Sequence, residues 1–209
     1  MKREKICIIT AFIMAFIITG ALVHERGLLV EARAEQAQEN LAKEVLRFHV
    51  LANSDSEADQ ELKMQVKEAV ILYMKKQLPK EADLAETKEW VQTHLEEIQG
   101  VAAQTLQSEG SDYLVEAELE TVLFPKKTYG DVTFPAGEYE ALRIEIGEAK
   151  GQNWWCCLYP NLCFLDSVHA VVPEEGKQEL EQVLDEDGYQ MVTANSDFKI
   201  KWFFFGGNQ

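Results

Sequence analysis

The 209-residue chain carries 36 Asp and Glu against 20 Lys and Arg, a formal charge of −16, with 46% hydrophobic residues. Such acidity leaves no basic patch for nucleic acid and repels anionic lipid headgroups, so both are excluded as charge-driven partners. With the apolar N-terminus set aside, about 180 residues remain, enough to bury one core and too few to expect a second independent domain.

Lys2, Arg3 and Lys5 precede Ile6 to Val23, a run without a single Asp, Glu, Lys, Arg or His. A membrane-spanning helix needs roughly 20 apolar residues and a signal-peptide core about 7 to 15, so residues 1–23 are expected to be either a cleaved signal peptide or a retained anchor. Thr19-Gly20-Ala21 and Ala32-Arg33-Ala34 both offer small residues at signal-peptidase spacing. The leading basic residues place everything after Val23 outside the cytoplasm. Cys7 falls within the run and reads as a small buried hydrophobe. Residues 24–41 are polar and rich in Ala, Glu and Gln without an apolar stripe, and read as a juxtamembrane spacer, either a frayed helix or a segment that need not be ordered. A single extracytoplasmic domain is expected over 42–209.

Val45 to Ala52 is rich in branched and aromatic residues and short enough for a buried strand. Ser54 followed by Glu57 forms a capping-box pattern that should open a helix. That helix carries Val66, Ala69, Val70, Tyr73 and Met74 at three- and four-residue steps and stops at Pro79. A second helix is expected from Leu84, with Val91, Leu95, Ile98, Ala102 and Leu106 on one stripe and Gly110 closing it. Tyr113, Val115, Ala117, Leu119 and Leu123 then alternate with Glu116, Glu118 and Glu120, the period of a half-buried strand with an acidic outer face. Tyr129-Gly130-Asp131 and Pro135-Ala136-Gly137 mark turns, with Gly137 at the position suited to positive φ. In the next strand Leu142, Ile144 and Ile146 should face in, and Ala141, Arg143 and Glu145 out. Trp154 to Leu158 reads as a strand, Glu174 to Leu184 as a short helix and Phe198 to Phe205 as a last strand. This order predicts an α+β fold: a mostly antiparallel sheet with two amphipathic helices packed on one face, behind the N-terminal export or anchor helix.

The densest chemistry lies between Gly151 and Asp166, which hold Trp154, Trp155, Cys156, Cys157 and Cys163. Outside the cytoplasm a bridge is the expected state of paired cysteines. Cys156 with Cys163 is the favoured pair, because neighbours 156 and 157 point to opposite faces of a strand and Pro160 lets the chain turn back. Zinc lacks a second ligand pair at a recognisable spacing, so no metal or other cofactor is expected. His49, His94, His169, Asp55 and Asp166 are the titratable candidates for catalysis, and none belongs to a hydrolase, metalloprotease or phosphate-loop motif. Trp154, Trp155 and Tyr159, beside a rigidifying bridge, suit a protein interface; ordinary core packing is the competing reading.

Three blocks carry a resemblance. They are Arg47 to Ser56 with Asp59-Gln60, Tyr129 to Val132 with Pro135 to Arg143, and Asn153 to Cys156 with Leu162-Cys163-Phe164 and Asp166. Together these resemble the stage II sporulation protein R family of endospore-forming Firmicutes. The resemblance implies a non-enzymatic signal protein exported from the forespore into the space between forespore and mother cell. There it would activate a membrane-embedded aspartic protease that processes the sigma factor E precursor. Trp154, Trp155, Tyr159 and Asp166 are the expected partner contacts, with membrane association only through the N-terminal segment. Two rival readings are an exported cell-wall hydrolase, which needs a cleft carboxylate pair with one raised pKa, and a membrane-tethered structural protein, which needs the N-terminal segment uncleaved.

Overall fold

The computed structural model describes residues 2–79, 81–164, 172 and 174–193. It divides into two compact units, residues 1–39 and 40–209. The expected last strand over 198–205 lies outside the described residues.

The N-terminal helix is α1 (Lys2–Glu44). From Phe12 onward it is long and apolar enough to cross a membrane. Phe16, Ile17, Leu22 and Val23 are exposed along it. The spacer expected over 24–41 takes the helical one of its two readings, since Ala, Glu, Gln and Leu are strong helix formers even without an apolar stripe.

In the second unit β1 (Leu46–Leu51) is followed by α2 (Glu57–Gln77), α3 (Leu84–Thr93), α4 (Leu95–Ser108) and β2 (Val115–Phe124). A hairpin of β3 (Lys127–Tyr129) and β4 (Val132–Phe134) precedes β5 (Gly137–Ile146) and β6 (Asn153–Tyr159). A 3-10 turn (Leu162–Phe164), α5 (Glu174–Val183) and α6 (Glu186–Thr193) follow. The four long strands form one sheet in the order β2-β5-β1-β6. β1 runs parallel to β5, while β1 with β6 and β2 with β5 are antiparallel. The fold is thus α+β with a mostly antiparallel sheet.

β1 is central, and all six of its residues are buried. Leu46, Phe48 and Val50 pack with Val66, Val70 and Met74 of α2 and Ile98, Ala102 and Leu106 of α4. Leu142, Ile144 and Ile146 of β5 complete this core, as their alternation predicts. The opposite face is covered too. There Leu41, Phe124, Val132, Phe134, Tyr139, Ala141, Cys157, Leu180 and Val192 form a second core.

This second layer accounts for most departures from expectation. Ala141, expected to face out, is fully buried because its side of β5 also meets a core. Leu123 is 70% exposed while Phe124 is buried, because the helical layer covers only the first half of β2 and the second core takes over on the other face. The ladder to β5 stays in unbroken register through this exchange. Positive φ falls on Gly130, between β3 and β4, and not on Gly137, which instead opens β5. The helix cap lies two residues later than expected: Ser56 accepts from the Asp59 N–H, and Ser54 is engaged elsewhere. The expected second helix is two, interrupted at His94, whose ring stacks on Trp90 and whose Nδ1 lies 2.8 Å from the Trp90 carbonyl oxygen. Gly110 closes α4 at φ +77°, with Ser111 N–H donating to Leu106 and Gly110 N–H to Gln107, a Schellman pattern.

Candidate functional site

Alternation along β6 sends its two tryptophans to opposite faces. On the helix side the Trp154 ring meets Phe48 edge-on at 5.5 Å, with Lys67 Nζ 5.4 Å from its centroid. On the other side Trp155 stacks on His49 at 3.7 Å and meets Phe124 edge-on at 4.5 Å. Both are half-buried, so each covers core with one part and meets solvent with the rest. Tyr159, at the end of β6, lines an open groove of about 430 Å³ with Leu84, Ala85 and Val183 as apolar wall and Lys43, Lys88 and Asp83 among its polar rim. Asp166 and His169 lie outside the described residues.

The sheet register sets out rows across the second face. Glu118, Arg143, His49 and Trp155 form one row, and Glu120, Ala141, Arg47 and Cys157 the next. Arg47 is fully buried. Its guanidinium lies 4.4 Å from the Phe124 ring centroid, 4.8 Å from Phe134 and 4.9 Å from Tyr139. Its Nε donates to the Cys156 carbonyl at 3.0 Å and its Nη2 to the Tyr129 hydroxyl at 2.9 Å, leaving Nη1 without a partner. Among the described residues no carboxylate pairs with it. Aromatic faces, whose quadrupoles attract a cation, do that work instead. Arg143, in the more open row, is by contrast held by the carboxylates of Glu120 and Glu145.

His49 is 3% exposed, and its Nε2 lies 3.0 Å from Asn153 Oδ1. Desolvation, aided by the charge of Arg143 and opposed by the Asn153 hydrogen bond, lowers its pKa to about 4. The native ring is therefore neutral, whereas in the unfolded chain it titrates near 6.5. Between those values the unfolded state binds more protons, so this stabilising contribution is complete above about pH 6.5 and is lost as pH falls toward 4. The urea midpoint should decline from pH 7 to pH 4.5, and His49→Gln should flatten that decline. An equal slope in both proteins would refute the assignment.

At the far end of the sheet, two loops interlock. Gly151 N–H donates to the Ala52 carbonyl at 2.9 Å and Lys150 N–H to that of Asn53 at 3.2 Å. The Asn53 side chain receives the Glu148 N–H and donates to Asp59 Oδ2. Ser54 Oγ donates to the same Asp59 oxygen at 2.5 Å, and Asp55 Oδ1 takes the Gln152 N–H at 2.7 Å. Gln60 Nε2 donates to the Ser54 carbonyl, and Lys63 Nζ ties Gln60 to the Gln152 carbonyl. The Ser54 and Asn53 bonds hold the Asp59 carboxyl below its usual range. Asp55, a candidate for catalysis on residue type, thus serves as a backbone acceptor. The polar side chains of Asn53, Ser54, Asp55, Asp59 and Gln60 are all engaged in this lock.

Arg47, Tyr129, Tyr139 and Phe134, which converge in the aromatic cage, carry no sequence signal as a group. What could have found them is the outward phase of Arg47 and His49 in a strand otherwise too apolar to have a wet side. Among the described residues no group of three His, Cys, Asp or Glu converges to hold a metal ion.

The stretch containing the cage, the lock and β6 is also the stretch that known proteins share. Residues 42–169 match the family model of stage II sporulation protein R. The chain is 34% identical over 201 residues to the stage II sporulation protein R of Bacillus subtilis (strain 168), an alignment covering 94% of this chain and 87% of that protein. No solved structure matches the chain. With a family model spanning more than half its length and a relative aligned along nearly all of it, the chain belongs to the stage II sporulation protein R family.

Proposed function

We propose that this chain is an exported sporulation signal, which passes from the forespore into the space between the two membranes and activates a membrane-embedded aspartic protease of the mother cell. The protease then removes the pro-segment of the sigma factor E precursor. The observation that carries this reading is kinship over 94% of the chain, which takes in the N-terminal apolar helix as well as the α+β domain. That helix serves for export, whether it is then cleaved or kept as an anchor.

Activation needs no chemistry from the activator. A protein that binds the active form of the protease better than the inactive form by about 3 kcal/mol shifts the equilibrium by over a hundredfold. The contacts assigned to this are the exposed parts of Trp154, Trp155 and Tyr159, together with Asp166. Because the two tryptophans flank β6 on opposite faces, a partner that uses both must reach around this edge of the sheet.

The test is co-expression of chain, protease and sigma precursor in a non-sporulating bacterium, with precursor cleavage read by immunoblot. Cleavage should require export of the chain, and Trp154→Ala with Trp155→Ala should weaken it at equal abundance. No cleavage despite confirmed export would reject the activator reading. Full cleavage by the double variant would reject the tryptophans as contacts.

A further inference from the structure

The three cysteines near the end of the sheet stand as thiols in this structure, yet they are not equivalent. Cys156 belongs to the helix-side core, against which Cys163 also packs, and Cys157 belongs to the opposite core. The 3-10 turn carries Cys163 back over β6, so that its Sγ lies 3.0 Å from the Cys157 carbonyl oxygen. The Cys156 Sγ approaches that same oxygen at 3.8 Å. The two sulfurs therefore converge on one backbone atom. Cys157 Sγ points away, donating instead toward the carbonyls of Tyr159 at 3.1 Å and Leu46 at 3.8 Å.

We infer that the exported chain carries a disulfide between Cys156 and Cys163, with Cys157 kept as a buried thiol. The bridge fastens the 3-10 turn to β6, and with it the segment leading away from Tyr159 and its groove. In forming it, two S–H bonds are lost and one S–S bond is made. The two electrons and two protons reduce the disulfide of an extracytoplasmic thiol oxidoreductase to its dithiol. Burial pushes the Cys163 thiol up, which makes thiolate scarce in the folded domain, so the bridge forms while the exported chain folds.

The inference rests on the export reading, and its test separates the two. The chain is produced behind its own apolar segment and, in parallel, behind a standard export leader. Free thiols are alkylated at harvest, and peptides are mapped by mass spectrometry without reduction. Retention of the first sample in the cytoplasm would count against export alone, while the second still reads the pairing. The linked peptide should persist in Cys157→Ser and vanish in Cys156→Ser and Cys163→Ser. Fragmentation of the unsubstituted chain's linked peptide decides the pairing should a variant fail to fold. Loss of so short a loop constraint should lower Tm by roughly 5–10 °C. Alkylated Cys156 and Cys163 in exported protein, or a link that survives in Cys156→Ser, would overturn the proposal.

Discussion

Arg47→Ala should cost the domain about 3–5 kcal/mol, enough to bring a protein of ordinary stability close to unfolding. The substitution empties a site with no exposure whose walls are Phe124, Phe134, Tyr139 and Tyr129. It also removes the donors to the Cys156 carbonyl and the Tyr129 hydroxyl. These walls come from β2, β3, β4 and β5 and the carbonyl from β6, so one side chain on β1 joins every other strand among the described residues. Arg47→Met separates packing from charge. It keeps much of the volume and discards a guanidinium whose Nη1 is unpartnered, and should cost less than half as much as alanine. Lysine keeps a charge but loses the planar fork that reaches two acceptors at once, and should fall between the two. Urea unfolding of the purified chain in mild detergent, followed by tryptophan fluorescence, measures all three. A loss below about 1 kcal/mol for alanine would show that the cage carries no stability.

What periodicity shows is one side of each element at a time, and the fold was legible to that extent. Leu142, Ile144 and Ile146 declare the helix-side core, and Val66, Val70 and Met74 declare the helix that covers it. The second core was hidden because its members come from short or scattered pieces: three-residue strands, the end of α1, and α5 and α6. Their partners on the sheet read as outward positions. Ala141 is small enough to fit either side, and Arg47 and His49 are polar enough to suggest solvent. Only tertiary burial decides between these readings. The lock between the loops was half-legible: Asn53, Ser54 and Ser56 announce a turn and a cap, and the cap forms at Ser56. The other half of the lock lies almost a hundred residues further on, at Glu148 to Gln152, which contributes backbone N–H donors and the Gln152 carbonyl, groups that no residue type advertises. Among the cysteines, the alternation that separates 156 from 157 is visible in sequence, while the return of Cys163 over β6 depends on the 3-10 turn.

Gly151→Ala should be nearly as damaging as the loss of Arg47, at about 3–4 kcal/mol, for a reason that has nothing to do with side-chain packing. A Cβ at Gly151 would stand 2.1 Å from the Ser54 carbonyl oxygen and 2.5 Å from its carbon. Both are backbone atoms, so no rotamer change relieves the clash. The two loops must separate, and the bonds from Gly151 N–H to Ala52, Lys150 N–H to Asn53 and Gln152 N–H to Asp55 lengthen or break together. Each such bond contributes about 0.5–1.5 kcal/mol net, and more where a buried group is left unpaired. Asp59 would lose its grip on the loop through Asn53 and Ser54 in turn, and its carboxyl should titrate closer to the ordinary range. Gly100 supplies the control. A Cβ there meets nothing within 4 Å, and the residue lies inside α4, where alanine should stabilise by about 0.5–1 kcal/mol. Equal stability of the Gly151→Ala and Gly100→Ala chains in urea would show that the loops yield without cost. A large difference, accompanied by faster hydrogen exchange at Lys150 to Gln152 with the β1–β5 ladder still protected, would place the damage at the lock itself.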